Sequence, residues 1–431
     1  MAETLQTLKG AWKAPELRKK ILFTLLILLI YRVGNAVPVP YVDVEMLNEY
    51  FNETLSSTVL GLYNAMSGSA FSKATVFALS ITPYINSSII MQLLCVAIPQ
   101  LERLSKDGGE EGRKKIASIT RYVTVGLALI MGFAYYTMLK NYQMLTQGGF
   151  LTALVIILSF TAGSAFIMWL GEQITEFGIG NGISIILFAS IISRIPSTVS
   201  TAITNLVGGA LNIFGVLVIL VLALALVMVI VFVDNAERRI PIQYAKQMRG
   251  RKMYGGQSTF LPIKVNMSGV MPIIFAQSIA SLPATLFAFN NAANDGSVTT
   301  FFRNLTDTNG VAYPIVYFLL IIAFGYFYAA IQYNPIEIAN NLKKNNGSIP
   351  GFRPGRPTAE FIQKVIYKIV LFGSLYLGVV AILPIIISHI SGYSSLAIGG
   401  TSIIIVVGVA LETVKALEAQ LMMRNYKGFL D

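Results

Sequence analysis

Stretches of about twenty mostly apolar residues recur along the whole chain, separated by short polar connectors. A helix rises about 1.5 Å per residue, so a run of roughly 20 residues is what the hydrocarbon core of a bilayer demands. Ten such spans are expected, near residues 21–38, 74–98, 117–139, 151–171, 182–203, 213–233, 268–289, 312–333, 362–387 and 398–417. Only 12% of the residues are charged, against about a quarter in soluble domains, and 55% are hydrophobic. That composition excludes a soluble multi-domain protein.

The formal net charge is +11. A nucleic-acid binder would gather its Lys and Arg on one solvated surface. Here they fall in alternate connectors: before residue 21, then in 103–121, 238–264, 343–368 and after 414, leaving only Arg32, Lys73, Lys140, Arg194 and Arg303 elsewhere. This is the positive-inside pattern, and it places both termini in the cytoplasm. The N-terminus imitates a secretory signal, with Arg18, Lys19 and Lys20 ahead of an apolar run. Arg32 and Pro38-Val39-Pro40 follow without a small-x-small cleavage site, so the run reads as a retained first span. Cys95 is the single cysteine and allows no internal disulfide.

The expected fold is therefore an all-α polytopic membrane protein. Ten spans divide into five and five, residues 1–205 and 206–431. Because five is odd, two like halves would lie inverted in the membrane, although no residue-level repeat is visible. One apolar segment is too short to cross: Leu60, Gly61, Leu62, Tyr63, Asn64, Ala65, Met66, Ser67, Gly68, Ser69, Ala70, Phe71 and Ser72. At this length it is either a re-entrant helix shielded by protein or a surface helix on the outer face.

Several chemistries are missing. The chain contains no Gly-x-x-x-x-Gly-Lys-Ser/Thr phosphate loop, so any energy source lies outside it. Gly178-Ile179-Gly180-Asn181-Gly182 lacks dinucleotide-loop spacing and a preceding strand, and reads as a shaped start to the fifth span. A lone His389 and a lone Cys95 form no recognised metal-ligand spacing. Glu172, Glu176, Glu412 and Glu418 lie at span ends, and such acid-poor spans disfavour an ion-coupled transporter. No catalytic residue, metal ligand or cofactor is expected.

Four strings are more specific: Phe77-Ala78-Leu79-Ser80-Ile81-Thr82-Pro83-Tyr84-Ile85-Asn86; Gly171-Glu172-Gln173-Ile174-Thr175-Glu176 running into Gly178-Ile179-Gly180-Asn181-Gly182-Ile183-Ser184; Gln257-Ser258-Thr259-Phe260-Leu261-Pro262-Ile263-Lys264-Val265-Asn266; and Pro350-Gly351-Phe352-Arg353-Pro354-Gly355. Together, and in this order, they resemble the SecY family, the channel-forming subunits of the bacterial Sec translocon in the plasma membrane. The resemblance implies two inverted five-helix halves around an hourglass pore, with residues 60–72 as a short re-entrant plug helix before the second span. It implies a pore ring of Ile81, Ile85, Ile183, Leu187, Ile274 and Ile405, and a lateral gate with Asn86 and Leu282 on facing spans. It also implies that the loops 234–267 and 334–361 dock a motor or ribosome through Arg251, Lys252 and Arg353. The partners implied are SecE and SecG, the SecA motor ATPase, the ribosome with its RNA, secretory preproteins with their signal sequences, and membrane lipids.

Some of this has a physical basis in the spacing. Ile81 and Ile85 are four apart, as are Ile183 and Leu187, so each pair shares a helix face. A narrow ring of branched aliphatics dewets and blocks ions without binding any particular peptide. Leu187 stands where the family more commonly has isoleucine. In so Ile-rich a chain, composition alone would equally let these side chains meet lipid or another helix. Pro83, Pro272 and Pro283 interrupt helical bonding in the second and seventh spans, which fits either a moving seam or a fixed kink. Pro354, Gly351 and Gly355 favour a tight turn presenting Arg353, although cations in such loops also enforce topology.

Overall fold

The computed structural model describes residues 10–55, 59–208, 213–244, 247–249, 252–254, 258–289, 310, 312–391 and 395–427. Within them the chain forms α1 (Pro15–Gly34), α2 (Val44–Tyr50) with a π-helical turn at Phe51–Leu55, α3 (Val59–Met66), α4 (Thr82–Ala97), α5 (Pro99–Lys106), α6 (Gly109–Asn141), α7 (Phe150–Phe177), α8 (Gly182–Ile192) and α9 (Ile195–Val207). There follow α10 (Ile213–Asn235), β1 (Glu237–Tyr244), β2 (Gln247–Arg249), β3 (Lys252–Tyr254), β4 (Ser258–Lys264), α11 (Met271–Phe289), α12 (Ala312–Gln332), α13 (Pro335–Lys344), β5 (Gly347–Ser348), α14 (Arg356–Ser391) and α15 (Ser395–Lys427).

Helices dominate because a backbone in hydrocarbon must satisfy its own hydrogen bonds. Each of the ten expected spans contains a helix. Among the described residues five helices are long and apolar enough to cross a membrane, and six if α4 and α5, bent by 103° at Ile98, count as one. Leu22, Leu25, Leu26 and Leu29 on α1, and Leu217, Leu220, Val221 and Leu224 on α10, are exposed large apolar side chains. On a membrane helix that is the lipid-facing pattern.

Most buried apolar side chains join one core running through both sequence halves, from Ile27 to Val409. Three sets of helix contacts build it. α6 packs on α7, α4 and α11; α12 packs on α11 and α14; and α15 packs on α14, α10 and α8. A second core lies under the basic loops, where Ile240, Ile242, Ile263, Leu342 and Ile349 meet Ile362, Ile366 and Val370 of α14.

Two regions differ from the sequence expectation. The second span is expected from residue 74 but its helix starts at Thr82, with Pro83 in the first turn. Residues 67–81 are irregular, with positive φ at Ser69, Ala74 and Ser80. Their backbone is satisfied inside the protein: Val39 N–H donates to Ala74 O (2.9 Å), and Val76 N–H to Val37 O (3.0 Å). The loop 234–267 contains β-strands, which the sequence reading does not anticipate. β1 and β4 pair antiparallel with Ile240 opposite Leu261, and β5 adds to the other edge of β1. Ile240 and Ile242 are buried between exposed neighbours, the alternation of a half-buried strand.

Candidate functional site: an aliphatic waist around a short helix

The six candidate ring residues come from four separate helices. Ile81 is the N-cap of α4 and Ile85 lies one turn on; Ile183 and Leu187 are on α8, Ile274 on α11 and Ile405 on α15. Five are almost wholly buried, at 5% exposure or less, and Ile183 is half-buried against the same core. Gly171 shows how close two of them come: a Cβ built there would lie 3.2 Å from Ile183 Cγ1 and 3.6 Å from Ile81 Cδ1.

Local sequence positions α8. Asn181 accepts from Ile183 N–H (3.1 Å) and Ser184 N–H (3.4 Å), capping the helix in the usual Asx manner. Gly180 sits at φ +65°. Gly182 packs so closely on α7 that a Cβ would fall 2.0 Å from the Gly171 carbonyl oxygen. The glycine run therefore fixes the start of this helix, as its sequence suggests.

Of residues 60–72, only the first part is helical. α3 ends at Met66, and the rest is a hydrogen-bonded turn. Asn64 Oδ1 accepts from Ser72 N–H (3.0 Å), Ser67 Oγ accepts from Phe71 N–H (3.2 Å), and Ser69 N–H donates to Asn64 O (3.0 Å). Leu60, Tyr63, Asn64, Ala65, Met66, Ser67, Ala70, Phe71 and Ser72 are buried, and Gly68 and Ser69 half-buried. α3 packs against α8, α11 and α15, three of the four helices that carry ring residues.

Two tyrosines tie this segment down: Tyr63 within it, and Tyr135, which the sequence reading did not single out. Tyr63 donates to Leu79 O (2.7 Å), and Tyr135 of α6 donates to Phe71 O. Phe71 sits in an aromatic cluster with Phe51, Tyr63 and Tyr135, its ring centroid 4.6 Å from that of Tyr135. Beside it lies a small cavity of about 30 Å³ lined almost wholly by apolar atoms, including Leu60, Leu79, Met131, Ala134 and Met138. The available signal was a hydroxyl within an otherwise apolar run, which at membrane depth needs a partner.

α4 and α11, the expected seam, are in contact, and Asn86 on α4 is buried. Ser87 behind it is held to α6, its Oγ 2.6 Å from Thr124 Oγ1 and donating to Thr120 O (3.1 Å). Leu282 is on α11, with its side chain outside the described residues. Pro83 and Pro272 both occupy first helical turns, where no intrahelical N–H is lost. They therefore do not break their spans, and Pro283 alone of the three lies inside a helix.

At the basic loops, Arg353 is exposed between Gly351 (φ +86°) and Gly355 (φ +110°), the tight turn its neighbours imply. Phe352 packs on Phe361 of α14 with ring centroids 4.2 Å apart. Lys252 opens β3, and Arg251 lies outside the described residues. The β1–β4 hairpin is fastened below: Asn266 donates to Asp234 Oδ1 (2.7 Å), and Lys415 of α15 donates to Asp234 O (3.5 Å).

Long apolar helices packed on one core that takes in all six candidate ring residues, with a short helix lodged among them, define a polytopic helical membrane protein. Solved structures with this arrangement include "The structure of a protein conducting channel", with TM-score 0.67 and 17% identity, covering 93% of this chain and 92% of that one. Another is "Sec61 in the Canine ribosome-channel complex from the endoplasmic reticulum", with TM-score 0.64, 17% identity and the same coverage. At the level of sequence, residues 75–414 match the SecY family model, and the chain belongs to the SecY family. It is similar to the protein translocase subunit SecY of Streptomyces scabiei, 45% identical over 97% of this chain and 98% of that protein. The SecY subunit of Bacillus subtilis (strain 168) is 44% identical over 99% of both chains.

Proposed function

We propose that this chain is the protein-conducting subunit of a bacterial plasma-membrane translocon, with both termini cytoplasmic. It passes unfolded secretory polypeptides through its centre and releases apolar segments sideways into lipid. One observation carries this reading: Ile81, Ile85, Ile183, Leu187, Ile274 and Ile405 converge from four helices on one buried core, and α3 packs on three of those helices. Such a waist excludes ions when narrow and makes no directional bond to a chain threading it.

In this reading residues 60–72 are the plug that fills the waist at rest. Asn86 and Leu282 lie on the lateral seam between α4 and α11, and residues 1–205 and 206–431 are the two inverted halves that part along it. Arg353, with Arg251 and Lys252, docks the driving partner. A planar guanidinium at a loop tip suits ribosomal RNA phosphate or acidic protein groups. The ribosome-bound complex named among the structural relatives supports the first of these. The chain hydrolyses nothing itself; the SecA motor or the translating ribosome supplies the drive, and SecE and SecG complete the membrane complex. Crosslinking separates a polypeptide path from a solute path. In a Cys95→Ser background, a photoreactive probe at position 85 is expected to capture a stalled secretory chain, and a probe at the exposed Leu25 is not. Equal capture at both positions, or none at 85 in an inserted complex, would discard the central path.

A further inference from the structure

Between α10 and α11 the chain leaves the helices, runs out and back along the β1–β4 hairpin, and re-enters. Two helix ends meet at the base of this excursion. The last carbonyls of α10 lack intrahelical donors, and the first N–H groups of α11 lack intrahelical acceptors. A helix carries partial negative charge at the first kind of end and partial positive charge at the second. α15 brings a group of the opposite sign to each. Lys415 Nζ donates to the carbonyl of Asp234 in the last turn of α10 (3.5 Å). Glu412, on the same helix, lies over Gly269, two residues before α11: a Cβ built there would be 2.8 Å from Glu412 Oε1. Gly269 has φ +59°, so the backbone turns beneath the carboxylate with no side chain between them.

The contact continues along one face of α15. Val270 packs on Gly408 and leaves no room for a side chain there. Its carbonyl accepts from Ile273 N–H and Ile274 N–H (3.2 Å each), the bonds that start α11 and deliver the ring residue Ile274. Ile405, Gly408, Glu412 and Lys415 follow one another at spacings of three, four and three, which is a single helix face. That face has the ring residue Ile405 at one end and the hairpin base at the other. The base is closed by Asn266, which donates to Asp234 Oδ1 (2.7 Å), and by Val265 N–H, which donates to Ala236 O (2.9 Å).

We propose that Glu412 and Lys415 are positioning residues, which fix the start of α11 on α15 so that Ile274 and Ile405 keep their relative place when a partner loads the hairpin. The order of the two charges is the specific part. A cation at the end of α10 and an anion at the start of α11 each match the helix dipole, and the reverse order opposes both. The two side chains act through Ile274 and Ile405, not on a passing chain. What they do for translocation rests on the function proposed above; the clamp itself does not.

Hydrogen exchange of the intact membrane complex, read by mass spectrometry, tests the clamp. In Glu412→Gln/Lys415→Met the amides of Ile273 and Ile274 are expected to exchange about fivefold faster. Those of Ile183 and Ser184 at the start of α8 should not change. Lys415→Arg should keep the parent rate, and the reversed pair Glu412→Lys/Lys415→Glu should not restore it. Unchanged exchange at Ile273 and Ile274 in the Gln/Met variant, equal acceleration at α8, or full protection from the reversed pair would overturn the proposal. In vesicles the Gln/Met variant should bind the SecA motor or the ribosome with parent affinity and translocate about fivefold more slowly per bound partner. A loss of docking affinity that accounts for the whole defect also overturns it. Faster exchange at Ile273 and Ile274, with no polypeptide crosslink at position 85 of the parent, would keep the clamp and discard the pore.

Discussion

Tyr135 and the ring isoleucines act through opposite properties of a side chain. The Tyr135 hydroxyl gives the buried Phe71 carbonyl its partner, so Tyr135→Phe leaves that acceptor dry at a cost of about 1 kcal/mol. The α3 segment should then open about fivefold more often. Alkylation of a cysteine placed at Ser69, in a Cys95→Ser background, measures this, and an unchanged rate would show that Tyr135 does not restrain the segment. The isoleucines contribute by having no polar atom. Ile85→Asn together with Ile183→Asn should let the waist hydrate and make resting channels conduct ions in planar bilayers. Unchanged conductance from a correctly folded double variant would remove both from the seal.

Single elements are set by close packing and by turns. Gly182 lets α8 lie against the α7 carbonyl at Gly171, and Gly182→Val should force them apart and destabilise the protein by about 1–3 kcal/mol or more. Thermal denaturation in detergent reads this as a lowered midpoint. The loop around Arg353 is shaped by its glycines and by the Phe352–Phe361 contact, neither of which uses the guanidinium. Arg353→Glu should therefore leave membrane insertion intact while reducing motor-driven or ribosome-bound translocation. Normal secretion by that variant would reduce the arginine to a topology signal. The β1–β4 hairpin shows what sequence reading overlooks at this scale: Ile240 and Ile242 are two apart, with Pro241 between them and Arg239 and Gln243 outside, but the signal is short and sits among cations that look like a solvated loop.

For the molecule as a whole, orientation follows from where the cations lie. A phosphatase fused after Lys427 should remain inactive in the cytoplasm, and one inserted near Gly148 should be active outside. The reverse pattern would invert the topology. The helical membrane class, the order of the apolar helices and the family were legible in the chain itself, because lipid leaves the backbone few options and hydrophobic length is a one-dimensional signal. The pairing of Ile81 with Ile85 and of Ile183 with Leu187 was legible too, since periodicity fixes a shared face. Which isoleucines face one another, where the second helix begins, and which hydroxyls hold residues 60–72 were decided only by tertiary structure. The contacts that settle them, Tyr63 with Leu79, Tyr135 with Phe71 and Tyr31 with Ser190, join residues 16, 64 and 159 positions apart. No local pattern encodes a partner at that distance; it emerges when the helices pack.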